Sequence, residues 1–350
     1  MKYNCNKAFV TLSLLLSSNF SRSSPSSTSK NATAFVVDVG NITRRSIGQS
    51  KEHPKRTATT TTTTTQTTAM SSGWSSTWKD INNGGNPRWK ITSEESHEKA
   101  YAHFQKHVQL LKGRRGINDD EDDDDENKND NKQDYVIKYN ISVFCPLAGD
   151  DPFIYLLWSR GYSVTAIDLV PEALEAMRQG FIDKDDGNDD DDAGAIWTQQ
   201  ESKDNGNNED VVWTHKSGRV TLIVGDVLKK RPHLSNSFDA VYDKDSFGAL
   251  SKELRTPFCD LIADYTKEDG IVYLECKLKR GVIGVDNSGP PFSLRKEDLM
   301  EDDNYGGSKF DYVEGLGPVY DLTNAGMQQT GHVFRRRTPH STTSTSCPSS

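Results

Sequence analysis

The sequence predicts an α/β domain built on a mainly parallel, twisted sheet with helices on both faces. Three observations carry that expectation. Short apolar runs recur along the middle of the chain, each bounded by polar or turn-forming residues. Between them lie segments whose apolar residues fall at helical spacing. Three of the runs end on an aspartate, at Asp168, Asp226 and Asp243. Strands that alternate with helices need crossover connections, and these impose parallel pairing. Ligands in such sheets bind beyond the carboxyl ends of the strands, so the residues after each run are the ones to read.

Taken in order, Tyr101, Phe104, Val108 and Leu111 share one face of a helix ahead of the first strand. Ile141–Cys145 is the first strand and Ser163–Ile167 the second, ending at Asp168. Pro171 stands where a first helical residue belongs, and Leu174 and Met177 supply the apolar face behind it. Val220–Val224 leads to Gly225 and Asp226, and Phe238–Tyr242 leads to Asp243. Leu254, Phe258, Leu261, Ile262 and Tyr265 give another helix before the strand Ile271–Cys276. Val313–Tyr320 and His332–Arg335 are read as the last two strands.

The chain of 350 residues is too polar to pack as one globule: 33% of it is hydrophobic and its mean hydropathy is -0.72. One folded domain is therefore expected over residues 73–337. It is interrupted by acidic disordered inserts near 117–134 and 182–210 and followed by a disordered tail at 338–350. The formal charge of -9 argues against a nucleic-acid partner. Five widely spaced cysteines, Cys5, Cys145, Cys259, Cys276 and Cys347, suggest neither a disulfide framework nor a zinc site. No metal and no membrane span in the mature protein are expected, and a monomer is. Residues 1–72 read as a targeting presequence. Lys2 and Lys7 precede the apolar run Ala8–Leu16, and a Ser/Thr-rich, acid-poor stretch carrying Arg44, Arg45, Lys55 and Arg56 follows. A signal segment followed by a transit segment is the layout of a bipartite plastid presequence, and Ala32-Thr33-Ala34-Phe35 resembles its cleavage site. The alternative is a cytoplasmic protein with a disordered tail.

The strand ends suggest a ligand. An acid after the second strand can accept both hydroxyls of a ribose, which makes Asp168 a nucleoside-binding candidate together with Leu169. Asp226 and the Val227 N–H are placed to read an adenine edge. A dinucleotide needs a glycine-rich turn so that backbone can approach its pyrophosphate. Here the turn is Pro146-Leu147-Ala148-Gly149-Asp150-Asp151, with one glycine and two carboxylates. A phosphate would be repelled, whereas S-adenosylmethionine carries a sulfonium and no phosphate. The expected cofactor is therefore S-adenosyl-L-methionine, with Leu147 and Gly149 facing its methionine half.

The stretch Val143–Gly149, then Arg160-Gly161-Tyr162-Ser163-Val164 and Ile167-Asp168, resembles the first βαβ unit of the thiopurine S-methyltransferase family. Ser217-Gly218-Arg219-Val220, Phe238–Lys244 and Gly289-Pro290-Pro291-Phe292 are similar to later segments of that family, as are the tryptophans Trp74, Trp78 and Trp89. The resemblance implies a Rossmann-like class I methyltransferase fold and a small-molecule acceptor. It implies Trp78 over the donor, Asp243 and Lys244 at the catalytic centre, Asp243 also near the donor, and Trp74, Pro290, Pro291 and Phe292 around the acceptor. Ala148 stands at the family's cysteine, Asp150 at its lysine, Phe153 at a loop acid and Lys244 at its arginine. A thiol is the first acceptor class expected. Halides, selenium or tellurium species, other small nucleophiles, and a donor-binding protein without catalysis remain as alternatives.

Overall fold

The computed structural model describes residues 78–81, 90–91, 93–112, 140–185, 196–202, 210–279, 290–321 and 327–338. The expected presequence, Trp74, Trp89, the acidic run Asp119–Glu126 and nearly all of the tail lie outside the described residues.

Among the described residues, nine strands form one sheet in the order β3-β4-β5-β2-β1-β6-β7-β9-β8. They are β1 (Ser142–Pro146), β2 (Ser163–Asp168), β3 (Trp197–Ser202), β4 (Asp210–His215), β5 (Val220–Val224), β6 (Phe238–Lys244), β7 (Thr266–Lys279), β8 (Phe310–Asp321) and β9 (Met327–Arg336). The five strands expected from apolar runs are β5, β2, β1, β6 and β7, and they pair in parallel as the centre of the sheet. The β3–β4 and β8–β9 hairpins extend it by antiparallel pairing at the two edges. The fold is thus mixed α/β with a central, mostly parallel sheet.

Both faces are covered because successive strand residues point to opposite sides. In β1, Val143 and Cys145 enter one core while Phe144 enters the other. On the first face lie α1 (Glu94–Lys112), α2 (Pro152–Ser159) and α3 (Pro171–Asp185). The helical stripe Tyr101, Phe104, Val108 and Leu111 is buried as its spacing predicts. The Phe104 ring meets Phe153, Tyr162, Tyr242 and Tyr273 edge-on, 5.6 to 6.5 Å between centroids. On the opposite face lie α4 (Ser246–Ala249), α5 (Lys252–Tyr265) and α6 (Lys296–Leu299). There Leu254, Phe258 and Ile262 pack with Phe144 and Phe334.

The acidic segment 182–210 departs from expectation. The helix α3 continues to Asp185, and the segment goes on to form β3 and the start of β4. Only 186–195 and 203–209 lie outside the described residues. The hairpin is held by two contacts that a composition argument does not register. Trp197 packs edge-on against Phe181 (5.6 Å) and His215 (5.0 Å), and the buried Asp210 pairs with Arg231 at 2.9 Å. Among the described residues no helix is long and apolar enough to cross a membrane.

Candidate active site

The carboxyl ends of the central strands open into a cavity of about 170 Å³. Its floor is the turn between β1 and α2. Leu147 and Gly149 both take left-handed backbone there, at φ 42° and 57°. Glycine bears that conformation at no steric cost, whereas leucine is strained in it. The turn is pinned to β2 by Asp168, whose carboxylate accepts the Gly149 N–H (2.8 Å) and the Val170 N–H (2.9 Å). Burial pushes the Asp168 carboxyl up to about 6 against the pull of those N–H donors. The buried ring of Trp78 lies over the turn, with Cζ2 3.7 Å from where a Gly149 side chain would begin.

Three lysine–aspartate pairs surround this floor. Lys90 pairs with Asp150. Lys244 pairs with Asp151 at 3.1 Å, and Asp151 also accepts the Tyr242 hydroxyl and caps α2 through the Phe153 N–H. Lys277 pairs with Asp245 at 3.3 Å, and Asp245 accepts from Gln329 on β9. Burial would raise the Asp151 carboxyl, but Lys244 and the capping N–H outweigh it and hold it below the usual carboxylate range. Burial works against the Lys244 ammonium too, and Asp151 and Glu275 overcome it, so Lys244 stays charged. Glu275 lies fully buried on β7, and burial lifts its carboxyl to about 7 while the Tyr320 hydroxyl donates to it.

Of the site residues expected from sequence, Trp78, Leu147, Gly149, Asp168, Leu169, Asp226, Val227, Lys244 and Pro291 all line this one cavity. Asp243 does not line it. It is fully buried, accepts the Ser246 (3.0 Å) and Phe247 (3.3 Å) N–H groups at the start of α4, and takes the Tyr305 hydroxyl at 2.8 Å. Burial lifts its carboxyl to about 6. Pro290 and Phe292 flank Pro291 without lining the cavity. The Phe292 N–H is bonded to the Gly248 carbonyl at 2.7 Å, and its ring lies under Arg255. Trp74 lies outside the described residues.

Sequence reading missed Lys90, Asp151, Asp245, Ser246 and Lys277 as lining residues. A signal existed for Lys277, because Glu275 and Lys277 are charged residues within the otherwise apolar run 271–278 of β7. A second existed for Asp151, an aspartate directly before a helix-starting proline.

The lining suits an adenosyl sulfonium. Among the described lining residues, five aspartates (Asp150, Asp151, Asp168, Asp226, Asp245) and three lysines (Lys90, Lys244, Lys277) leave an excess of two carboxylates, which favours a ligand of net positive charge, such as one whose sulfonium and ammonium outnumber its carboxylate. Val170, Val227 and Leu228 add an apolar side against which a flat purine can pack.

A family profile described as thiopurine S-methyltransferase matches residues 132–311, just over half of the chain. No curated protein sequence matches. Solved structures to which the chain is similar include a TehB-like SAM-dependent methyltransferase from Corynebacterium glutamicum. That pair is 14% identical over 67% of this chain and 99% of that one, with a TM-score of 0.37. Another is 1,6-didemethyltoxoflavin-N1-methyltransferase from Burkholderia thailandensis, solved with 1,6-didemethyltoxoflavin and S-adenosylhomocysteine. It is 14% identical over 71% and 93% of the two chains, with a TM-score of 0.37. A SAM-dependent methyltransferase from Methanosarcina mazei is 12% identical over 58% and 97%, with a TM-score of 0.39.

Proposed function

Because the chain belongs to the thiopurine S-methyltransferase family and is an S-adenosylmethionine-dependent methyltransferase, we propose that its acceptor is a small soft nucleophile, a thiol or thiolate. The observation that carries this reading is Lys244. Its ammonium is held charged in the wall of the cavity that also contains Leu250, Leu254 and Pro291. A fixed cation beside the apolar side chains Leu250, Leu254 and Pro291 favours the ionised form of a thiol, which is only a few per cent ionised near neutral pH when its pKa is about 8.5.

Bound S-adenosylmethionine supplies an activated methyl group on its sulfonium sulfur. The work left to the protein is alignment and exclusion of water, and positioning alone can lower such a barrier by several kcal/mol. On this reading Asp168 accepts the ribose hydroxyls, and Asp226 and Val227 face the adenine. Leu147 and Gly149 run along the methionine half, and Trp78 closes over it. Lys244 and Pro291 border the acceptor. Asp151 keeps Lys244 in place, and no separate general base is required once the thiolate is favoured. The same reading has residues 1–72 deliver the enzyme to a plastid, where it acts as a monomer.

The test is methyl release from labelled S-adenosylmethionine across a panel of alkyl, aromatic and heterocyclic thiols, with halide, selenide, amine and protein acceptors in parallel. Products are identified by mass spectrometry. S-methylated thiols are expected. Turnover confined to an amine, halide or macromolecular acceptor overturns the thiol reading and leaves the donor assignment standing.

A further inference from the structure

Arg231 is buried to 2% exposure, and its side chain spends its donors on two different elements. Nε and Nη2 donate to the two carboxylate oxygens of Asp210, at 2.9 and 3.1 Å. Nη1 donates to the Asp226 and Lys229 carbonyl oxygens, at 2.9 Å each. Its backbone N–H is held by the Tyr265 hydroxyl at 2.7 Å. Asp210 is itself buried and is the first residue of β4, on the hairpin added outside the parallel strands. The carbonyls on the other edge belong to the turn that carries Asp226, Val227 and Leu228 into the cavity. Gly225 lies against the pair, and a Cβ there would collide with both the Asp210 and Arg231 side chains. Its glycine is required by that close approach.

A planar guanidinium can bind a carboxylate along one edge and carbonyls along another, which an ammonium cannot reproduce. The arrangement therefore makes the shape of a cavity turn depend on a residue of the hairpin. We infer that Arg231 and Asp210 are positioning residues for donor binding, through which the β3–β4 hairpin sets the turn that receives the adenine. The inference rests on the reading of Asp226 and Val227 as the adenine-facing turn.

The test uses the full chain and the product S-adenosylhomocysteine as probe, with calorimetric affinity and amide hydrogen exchange as readouts. Asp210→Asn keeps the shape and removes the charge, Arg231→Lys keeps the charge and removes the fork, and Val227→Phe fills the adenine side. In both pair variants affinity is expected to fall roughly tenfold, the scale of one lost hydrogen bond to a charged group. In the unmodified protein, adding the probe is expected to slow exchange at residues 210–213 together with 226–229. This second readout involves no substitution, and a merely structural pair would not produce it. If Val227→Phe weakens binding while folded Arg231→Lys binds normally, the inference fails and the adenine reading survives. If the hairpin amides do not respond to the probe, the inference also fails. If Val227→Phe itself binds normally, the adenine reading fails and takes the inference with it.

Discussion

At the scale of single residues, Asp168 and Asp243 make an instructive pair. Asp168 is the last residue of its strand and Asp243 the last but one, each has its next helix three residues on, and burial lifts each to about 6. At Asp243 the following helix offers free N–H groups, and the carboxylate is consumed capping them. After Asp168 the helix begins with Pro171, which has no N–H to offer. Asp168 therefore reaches Gly149 and remains in the cavity wall. Replacement Asp168→Ala is expected to weaken donor binding by about 1.5–3 kcal/mol, the range for a hydrogen bond to a charged group. Protonation removes its charge and turns one of its oxygens into a donor, so calorimetry should find donor affinity falling as pH drops through about 6, with Asp168→Asn showing a flat profile. A pH-independent affinity in the unaltered protein defeats the ribose assignment. Glu275 tests the opposite consequence of burial. A carboxyl raised to about 7 contributes stability that is fully present below its unfolded value and is lost as pH rises through 7. Thermal melts should show Glu275→Gln gaining on the parent protein between pH 5 and pH 8, and a constant gap contradicts this. Lys244→Ala should reduce thiol turnover more than donor binding, with the deficit shrinking at higher pH as the thiol ionises unaided. It should also destabilise the fold by about 3–5 kcal/mol, because Asp151 is left buried and unpaired. Adding Asp151→Ala should recover part of that loss in a denaturant titration.

At the scale of elements, the acidic segment divides into parts with different consequences. Residues 186–195 connect α3 to β3, and loop-closure entropy changes only with the logarithm of length. Replacing them with a short Gly/Ser linker should leave the melting temperature essentially unchanged and donor affinity within about a factor of three of the parent. Extending the replacement through Asp210 removes β3, leaves β4 paired only with β5 and leaves Arg231 buried without its carboxylate. Loss of that buried partner should cost about 3–5 kcal/mol in a denaturant titration. Equal stability of the two replacements would show that the hairpin does not brace the sheet. The segment reads as solvated because Thr198–Ser202 has no apolar residue and charges flank it. What orders it is one tryptophan and one buried carboxylate, and neither leaves a periodic trace. The α1 stripe, by contrast, was legible because four apolar residues at helical spacing report directly which face is buried.

At the scale of the whole molecule, the described fold begins at Trp78, and the cavity draws its lining from residues between Trp78 and Pro291. Deleting residues 1–72 should therefore yield a protein with an unchanged melting transition and unchanged donor affinity. Aggregation or loss of the transition on truncation would show that residues 1–72 contribute to the fold. A fluorescent fusion of the full chain is expected in plastids, and one that stays diffuse in the cytosol rejects that destination.

The sequence by itself determined the α/β class, the five parallel strands, the donor and the family. Each of these depends on local pattern: apolar runs of strand length, a proline at a helix start, a turn with two acids where a phosphate site would need glycines. Tertiary structure alone decided which strand-end acids face the cavity and which cap a helix. It also decided that Lys90 meets Asp150, that Lys244 meets Asp151 and that Arg231 meets Asp210. Those partners lie 60, 93 and 21 residues apart in the chain. An ion pair is chosen by where crossovers and hairpins bring two side chains together in a water-poor interior, and that proximity has no signature in local periodicity.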